Sequence, residues 1–163
     1  YQFEAADASL ELILRELSGE YIPFFRVLDS KVHISYDESG TEKADATLKV
    51  LVGDDIEHTA SDGDGPVDAL NNALRKALAM FFPELKDVRL TDYKVRVLNE
   101  QEGTGAKVRV LIESAYEDDS WSTIGVSKNI IEASRQALSE SFNYRLAKLS
   151  RWSNKNKKSL QLS

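Results

Sequence analysis

Two stretches of this chain carry residue types able to hold a small anion. Asp62-Gly63-Asp64-Gly65-Pro66-Val67 and Gly125-Val126-Ser127-Lys128-Asn129-Ile130 each lead from a glycine-containing turn into a segment with helical apolar spacing. A helix N-terminus presents unpaired N–H groups and roughly half a positive charge, which suits a carboxylate or phosphate. Glycines there let a ligand approach the backbone closely. A second reading stands beside it: Asp64, Ser127 and Asn129 are also good helix caps, worth about 1 kcal/mol each. Spacing alone leaves both readings open.

Little else in the sequence has catalytic spacing. The 163 residues include no cysteine and two histidines, so thiolate sites and disulfides are excluded and a His-rich metal centre is not expected. His33 and His58 fall in alternating, strand-like stretches and read as partly exposed structural residues. No Gly-x-Ser-x-Gly elbow, His-Glu-x-x-His pair or phosphate loop occurs. Gly63-Asp64-Gly65 lacks the third glycine and preceding apolar strand of a dinucleotide fingerprint. The net charge of −6 argues against nucleic-acid binding, which needs a basic surface. No apolar run approaches the roughly 20 residues of a membrane span. With 42% apolar residues the chain has material for a real core.

The elements that position the two helix starts come in two copies. Asp29-Ser30-Lys31-Val32-His33-Ile34 returns as Asp92-Tyr93-Lys94-Val95-Arg96-Val97, and Ala46-Thr47-Leu48-Lys49-Val50-Leu51-Val52 as Ala106-Lys107-Val108-Arg109-Val110-Leu111-Ile112. Val67-Asp68-Ala69 with Ala73-Leu74 returns as Ile131-Glu132-Ala133 with Ala137-Leu138. Three matches in one order at nearly constant offset mean a duplicated strand-strand-strand-helix unit. The first unit reads as strands 24–36, 44–53 and 56–61 and helix 66–80; the second as strands 87–98, 106–116 and 121–126 and helix 128 to about 149. Pro66 suits a first helical position. Residues 3–18 form an extra amphipathic helix stopped by Gly19, without a counterpart in the second unit.

The fold class that follows is α+β: two pseudo-symmetric βββα units, with two three-stranded antiparallel sheets and the helices packed between them. One continuous six-stranded sheet is the alternative. Residues 1–20 read as a linker helix from an upstream region, 21–83 and 84–150 as the two units, and 151–163 as a polar, basic, frayed tail. The start at Tyr1, inside a helical pattern, suggests a piece of a longer cytosolic protein. In the helix expected over 66–80, Val67, Leu70, Leu74, Leu78 and Phe81 are expected on the sheet, with Ala69, Ala73 and Ala77 as a second, small-residue stripe. The clearest break in the symmetry is Tyr93, where the first unit has Ser30. A large amphipathic ring there either fills core volume or lines a pocket present on one half.

Three separated stretches, Asp64-Gly65-Pro66-Val67-Asp68-Ala69-Leu70, Leu90-Thr91-Asp92-Tyr93-Lys94-Val95-Arg96-Val97-Leu98 and Gly125-Val126-Ser127-Lys128-Asn129-Ile130-Ile131-Glu132-Ala133-Ser134, together resemble a known family. They are similar to the C-terminal regulatory domain of the isopropylmalate synthase and citramalate synthase family. Gly103-Thr104-Gly105-Ala106-Lys107-Val108-Arg109-Val110-Leu111-Ile112-Glu113 points to the citramalate branch, and Tyr1 to Ser9 resemble the linker subdomain before that module.

The resemblance implies a homodimeric, cytoplasmic regulatory module with effector pockets near the dimer interface. It implies feedback by isoleucine, or by leucine in the isopropylmalate branch, on an upstream barrel that condenses acetyl-CoA with a 2-keto acid and holds a divalent metal. This fragment itself is expected to hold no metal or cofactor and to be inactive alone. Carried over by position, the effector wall is Leu90, Tyr93, Val97 and Ala106. The glycine-rich helix start is Gly63, Asp64, Gly65 and Val67, and the second turn is Ser127 and Asn129. On these residues the resemblance favours effector binding over capping.

Overall fold

The computed structural model describes residues 7–98 and 106–161, with side chains to residue 150. The expected turn at 99–105 and the first residues of the linker segment lie outside the described residues. The order of elements is α1 (Asp7–Leu17), β1 (Arg26–Tyr36), β2 (Glu42–Val52), β3 (Asp55–Gly63), α2 (Pro66–Ala79), β4 (Arg89–Leu98), β5 (Lys107–Tyr116), β6 (Asp119–Ser127) and α3 (Ile130–Gln161). A single 3-10 turn at Pro83–Leu85 joins the units. The strands form two antiparallel sheets, β1-β2-β3 and β4-β5-β6, so the duplicated unit and the expected two-sheet arrangement hold, and not the continuous six-stranded sheet.

Alternation sets the buried face of each sheet. On β2, Ala44, Ala46, Leu48 and Val50 are buried, and between the last three Thr47 and Lys49 point away. On β5, Val110, Ile112 and Ser114 play the same part. Both helices join both sheets in one apolar cluster, in which Leu70, Leu74, Leu78, Leu138 and Phe142 are nearly inaccessible. Fully burying each of these side chains contributes about 2 kcal/mol. Ala69, Ala73 and Ala77 are buried, as are Leu70, Leu74 and Leu78, while Val67 and Phe81 at the ends of the other stripe are half-buried. The alanine stripe is seated against β3, since Thr59 Oγ1 donates to the Ala73 carbonyl at 2.9 Å.

The duplication extends to details that the strand and helix pattern does not encode. Thr123 Oγ1 donates to the Ala137 carbonyl at 2.7 Å, repeating the Thr59 bond. A Cβ on Gly63 would lie 2.2 Å from the Ala69 nitrogen, and one on Gly125 would lie 1.9 Å from the Ala133 oxygen. These two glycines let strand and helix touch, though not at matching places: Gly63 lies four residues after Thr59, and Gly125 two after Thr123. A β-bulge interrupts β1 between Val27 and Asp29, and β4 between Leu90 and Asp92. That bulge brings Leu90 to the same inner face as Tyr93, opposite Ser114 and Ile112 respectively.

Two ends differ from the sequence reading. α1 stops where expected: Gly19 takes a φ of 77°, and the Gly19 and Glu20 amides bond back to Glu16 and Arg15. α3, expected to end near 149, runs to Gln161. No proline or glycine occurs after Gly125, and lysine, glutamine and leucine all favour a helix, so nothing halts it there. α1 packs through Ala8, Ser9 and Leu12 against α3 and the edge of β6. Ser9 Oγ accepts the Ile124 amide at 2.9 Å and donates to Glu140. Burial raises the Glu140 pKa, opposed by that hydrogen bond.

Candidate functional site

The starts of α2 and α3 and the middle of β4 meet around a cavity of about 260 Å³. Its walls are Gly65, Pro66, Val67 and Asp68 from α2, Tyr93 from β4, and Ile130 and Ile131 from α3. Gly65, Val67 and Tyr93 were expected to belong together, and they do. Tyr93 faces inward because it pairs with Ile112 across β4 and β5. Its ring is fixed at the far end, with the hydroxyl 3.3 Å from Ser134 Oγ. Ser134 spends its own proton on the Ile130 carbonyl at 2.7 Å, so Tyr93 is the donor to Ser134.

The two helix starts are built differently. At α3, Asn129 Oδ1 accepts the Ile131 amide at 2.8 Å and the Glu132 amide at 3.4 Å. Ser127 Oγ accepts the Asn129 amide at 3.2 Å. Asn129 is a helix cap and Ser127 orders the turn before it. At α2, Gly65 is the N-cap residue, with extended backbone (φ −155°) and no side chain bonding to the first turn. Pro66 has no N–H, and Ala69 is the first residue to bond back, to the Gly65 carbonyl at 2.9 Å. The Val67 and Asp68 amides thus have no side-chain cap beside the cavity, although the Asp68 carboxylate lies in the same first turn. Asp64 does not cap α2: its amide donates to the Asp68 carboxylate at 2.9 Å.

The remaining expected positions lie elsewhere. Gly63 is occupied by its contact with Ala69. Leu90 is partly buried and packs on the core behind Tyr93. Val97 shares the inner face of β4 but is 58% exposed, and Ala106 is exposed at the start of β5. Ile130 and Ile131 were not picked from the sequence, although the repeat held the signal, since they match Pro66 and Val67 in the other unit. Among the described residues no three His, Asp or Glu side chains gather as metal ligands, and no helix is long and apolar enough to cross a membrane. His33 and His58 are exposed.

Comparison with known proteins places this geometry. The LeuA allosteric (dimerisation) domain matches residues 4–146. The chain belongs to this family. It is 51% identical over 153 residues to an (R)-citramalate synthase of Geobacter sulfurreducens, covering 91% of the chain and 28% of that protein. An (R)-citramalate synthase of Aquifex aeolicus is 49% identical over the same length and coverage. A 2-isopropylmalate synthase of Shewanella woodyi is 32% identical over 133 residues, 81% of the chain and 23% of that protein. The chain thus spans about 28% of the length of the citramalate synthases it matches. As a LeuA domain, it presents one open and one capped helix start at the junction of its two halves.

Proposed function

We propose that this LeuA domain is the effector sensor of an (R)-citramalate synthase and that its effector is isoleucine. The observation that carries the reading is the cavity between Tyr93 and the uncapped start of α2. At about 260 Å³ it lies just below the ~300–1,000 Å³ usual for ligand sites, a size for an amino acid rather than a larger metabolite. The effector's carboxylate meets the Val67 and Asp68 amides, and its ammonium meets the Asp68 carboxylate. The branched side chain lies on Tyr93, Ile130 and Ile131. Burying it contributes about 2 kcal/mol. Shape discrimination against leucine then amounts to about 1–3 kcal/mol, the scale of a misplaced methylene.

The exposed Val97 and Ala106 fit a homodimer in which the second copy completes the apolar wall. In the whole protein the upstream barrel would condense acetyl-CoA with pyruvate at a divalent metal. Isoleucine inhibits it only by favouring one arrangement of the dimer over another. The relationship to 2-isopropylmalate synthase supports leucine as the second reading. Calorimetric titration with isoleucine, leucine and valine decides between them. We expect isoleucine to bind and Tyr93→Ala to weaken it about tenfold or more. Absence of heat and of thermal shift with all three amino acids overturns the sensor reading.

A further inference from the structure

The repeated bonds Thr59 to Ala73 and Thr123 to Ala137 put the two helices in register. Arg75, Lys76 and Ala79 of α2 then correspond to Ser139, Glu140 and Asn143 of α3. On α3 this stretch is served by neighbouring chain: Ser9 of α1 bonds to Glu140, and the Phe24 amide donates to Asn143 Oδ1 at 2.9 Å. On α2 the same stretch borders a cavity of about 340 Å³, closed by Pro83, Leu85 and Lys86. Ala79, Pro83 and Leu85 line it together with Arg75, Lys76 and Lys86, three residues that end in cations, and its surface is mainly apolar.

None of the three forms an ion pair with a carboxylate among the described residues. Lys76 Nζ donates to the Ala60 carbonyl at 3.1 Å. The Arg75 guanidinium lies 5.7 Å from the Phe142 ring centre, with Nε 3.5 Å from Asn71 Oδ1. Burial lowers the Arg75 pKa, the cost of holding a cation away from water without a counter-charge. The C-terminal end of α2 supplies only about half a negative charge against three positive ones. In a chain of net charge −6, acidic side chains are plentiful, and yet among the described residues none lines this cavity.

We infer that the cavity binds a small organic anion, a carboxylate or phosphate head on a short apolar body. The head makes charge-assisted hydrogen bonds with Arg75, Lys76 and Lys86, and the body lies on Ala79, Pro83 and Leu85. The volume is in the small-ligand range of about 300–1,000 Å³. No residue is shared with the Tyr93 cavity, so the two sites stand or fall separately.

Titration of the 163-residue chain at low salt with octanoate, octyl phosphate, octanol and inorganic phosphate tests this. Octanoate, octyl phosphate or both should bind one to one, and octanol and inorganic phosphate about tenfold or more weakly. Which amphiphile binds more tightly separates a carboxylate source from a phosphate source. The Lys76→Glu/Lys86→Glu double variant changes two exposed side chains, and its melting curve checks that it folds. It should weaken binding about tenfold or more at unchanged isoleucine response. Failure of both amphiphiles to bind, or a smaller loss in the folded double variant, overturns the proposal.

Discussion

Thr59 in the first unit holds the place of Thr123 in the second, each donating to a carbonyl of the helix that follows. Each unit also has a glycine pressed against its helix, Gly63 on the Ala69 amide and Gly125 on the Ala133 carbonyl. The helices themselves start differently. Asn129 caps α3, whereas Gly65 gives α2 no side-chain cap. The interiors differ as well. Where the first unit has Val50 and Ala77, both buried, the second places Ser114 and Ser141 with their hydroxyls 2.6 Å apart and adds the Trp121 indole N–H, 3.1 Å from the Ser141 carbonyl. Duplication preserves what joins strand to helix. Divergence is concentrated where a cavity opens and where polar groups replace apolar ones.

The largest effects should come from breaking the shared contacts. Gly125→Ala and Gly63→Ala each drive a methyl into backbone atoms, so each should cost about 3 kcal/mol or more, read as the loss in chemical-denaturation midpoint. A clear inequality between the two would show that the halves depend unequally on close strand-to-helix contact.

Next comes the polar pair of the second unit. Ser141→Ala strands the buried Ser114 hydroxyl and should cost about 2 kcal/mol. Adding Ser114→Val restores the apolar pairing of the first unit and should recover most of that loss, because neither partner is then left unpaired. The double-mutant cycle measures this directly.

The caps give a smaller difference. Asn129→Ala should destabilise by about 1 kcal/mol, while Gly65→Asn, with open space at its Cβ, should stabilise by a few tenths of a kcal/mol. The same Gly65→Asn change should weaken isoleucine, since the new side chain takes the amides the effector needs. Of similar size is the hairpin between β5 and β6, where Glu117 has a φ of 52° at the place of Gly53, φ 60°. Glu117→Gly relieves that left-handed strain and should raise the melting temperature by the equivalent of about 0.5–1 kcal/mol.

The repeat made the architecture readable, because the alternation of β2 and the helical spacing after Pro66 each recur in a second copy. Tyr93, Gly65 and Val67 were readable as parts of a pocket, two from the helix start and one from the broken symmetry at Ser30. Asn129 and Ser127 were named as candidates for capping or binding, and only their hydrogen bonds distinguish the roles. Ile130 and Ile131 were missed because apolar residues at a helix start look like core. Their place in the cavity depends on how the two units are set against each other, which no local pattern encodes. Val97 and Ala106 share a strand face or its neighbour with the cavity wall, but distance along the sheet leaves them outside it.

The most direct test of the open-start account is an isoleucine titration followed by backbone amide shifts. The Val67 and Asp68 amides should move most, and the Glu132 amide, already held by Asn129, should move less. Val67 and Asp68 amides that stay still at saturating isoleucine would contradict the account.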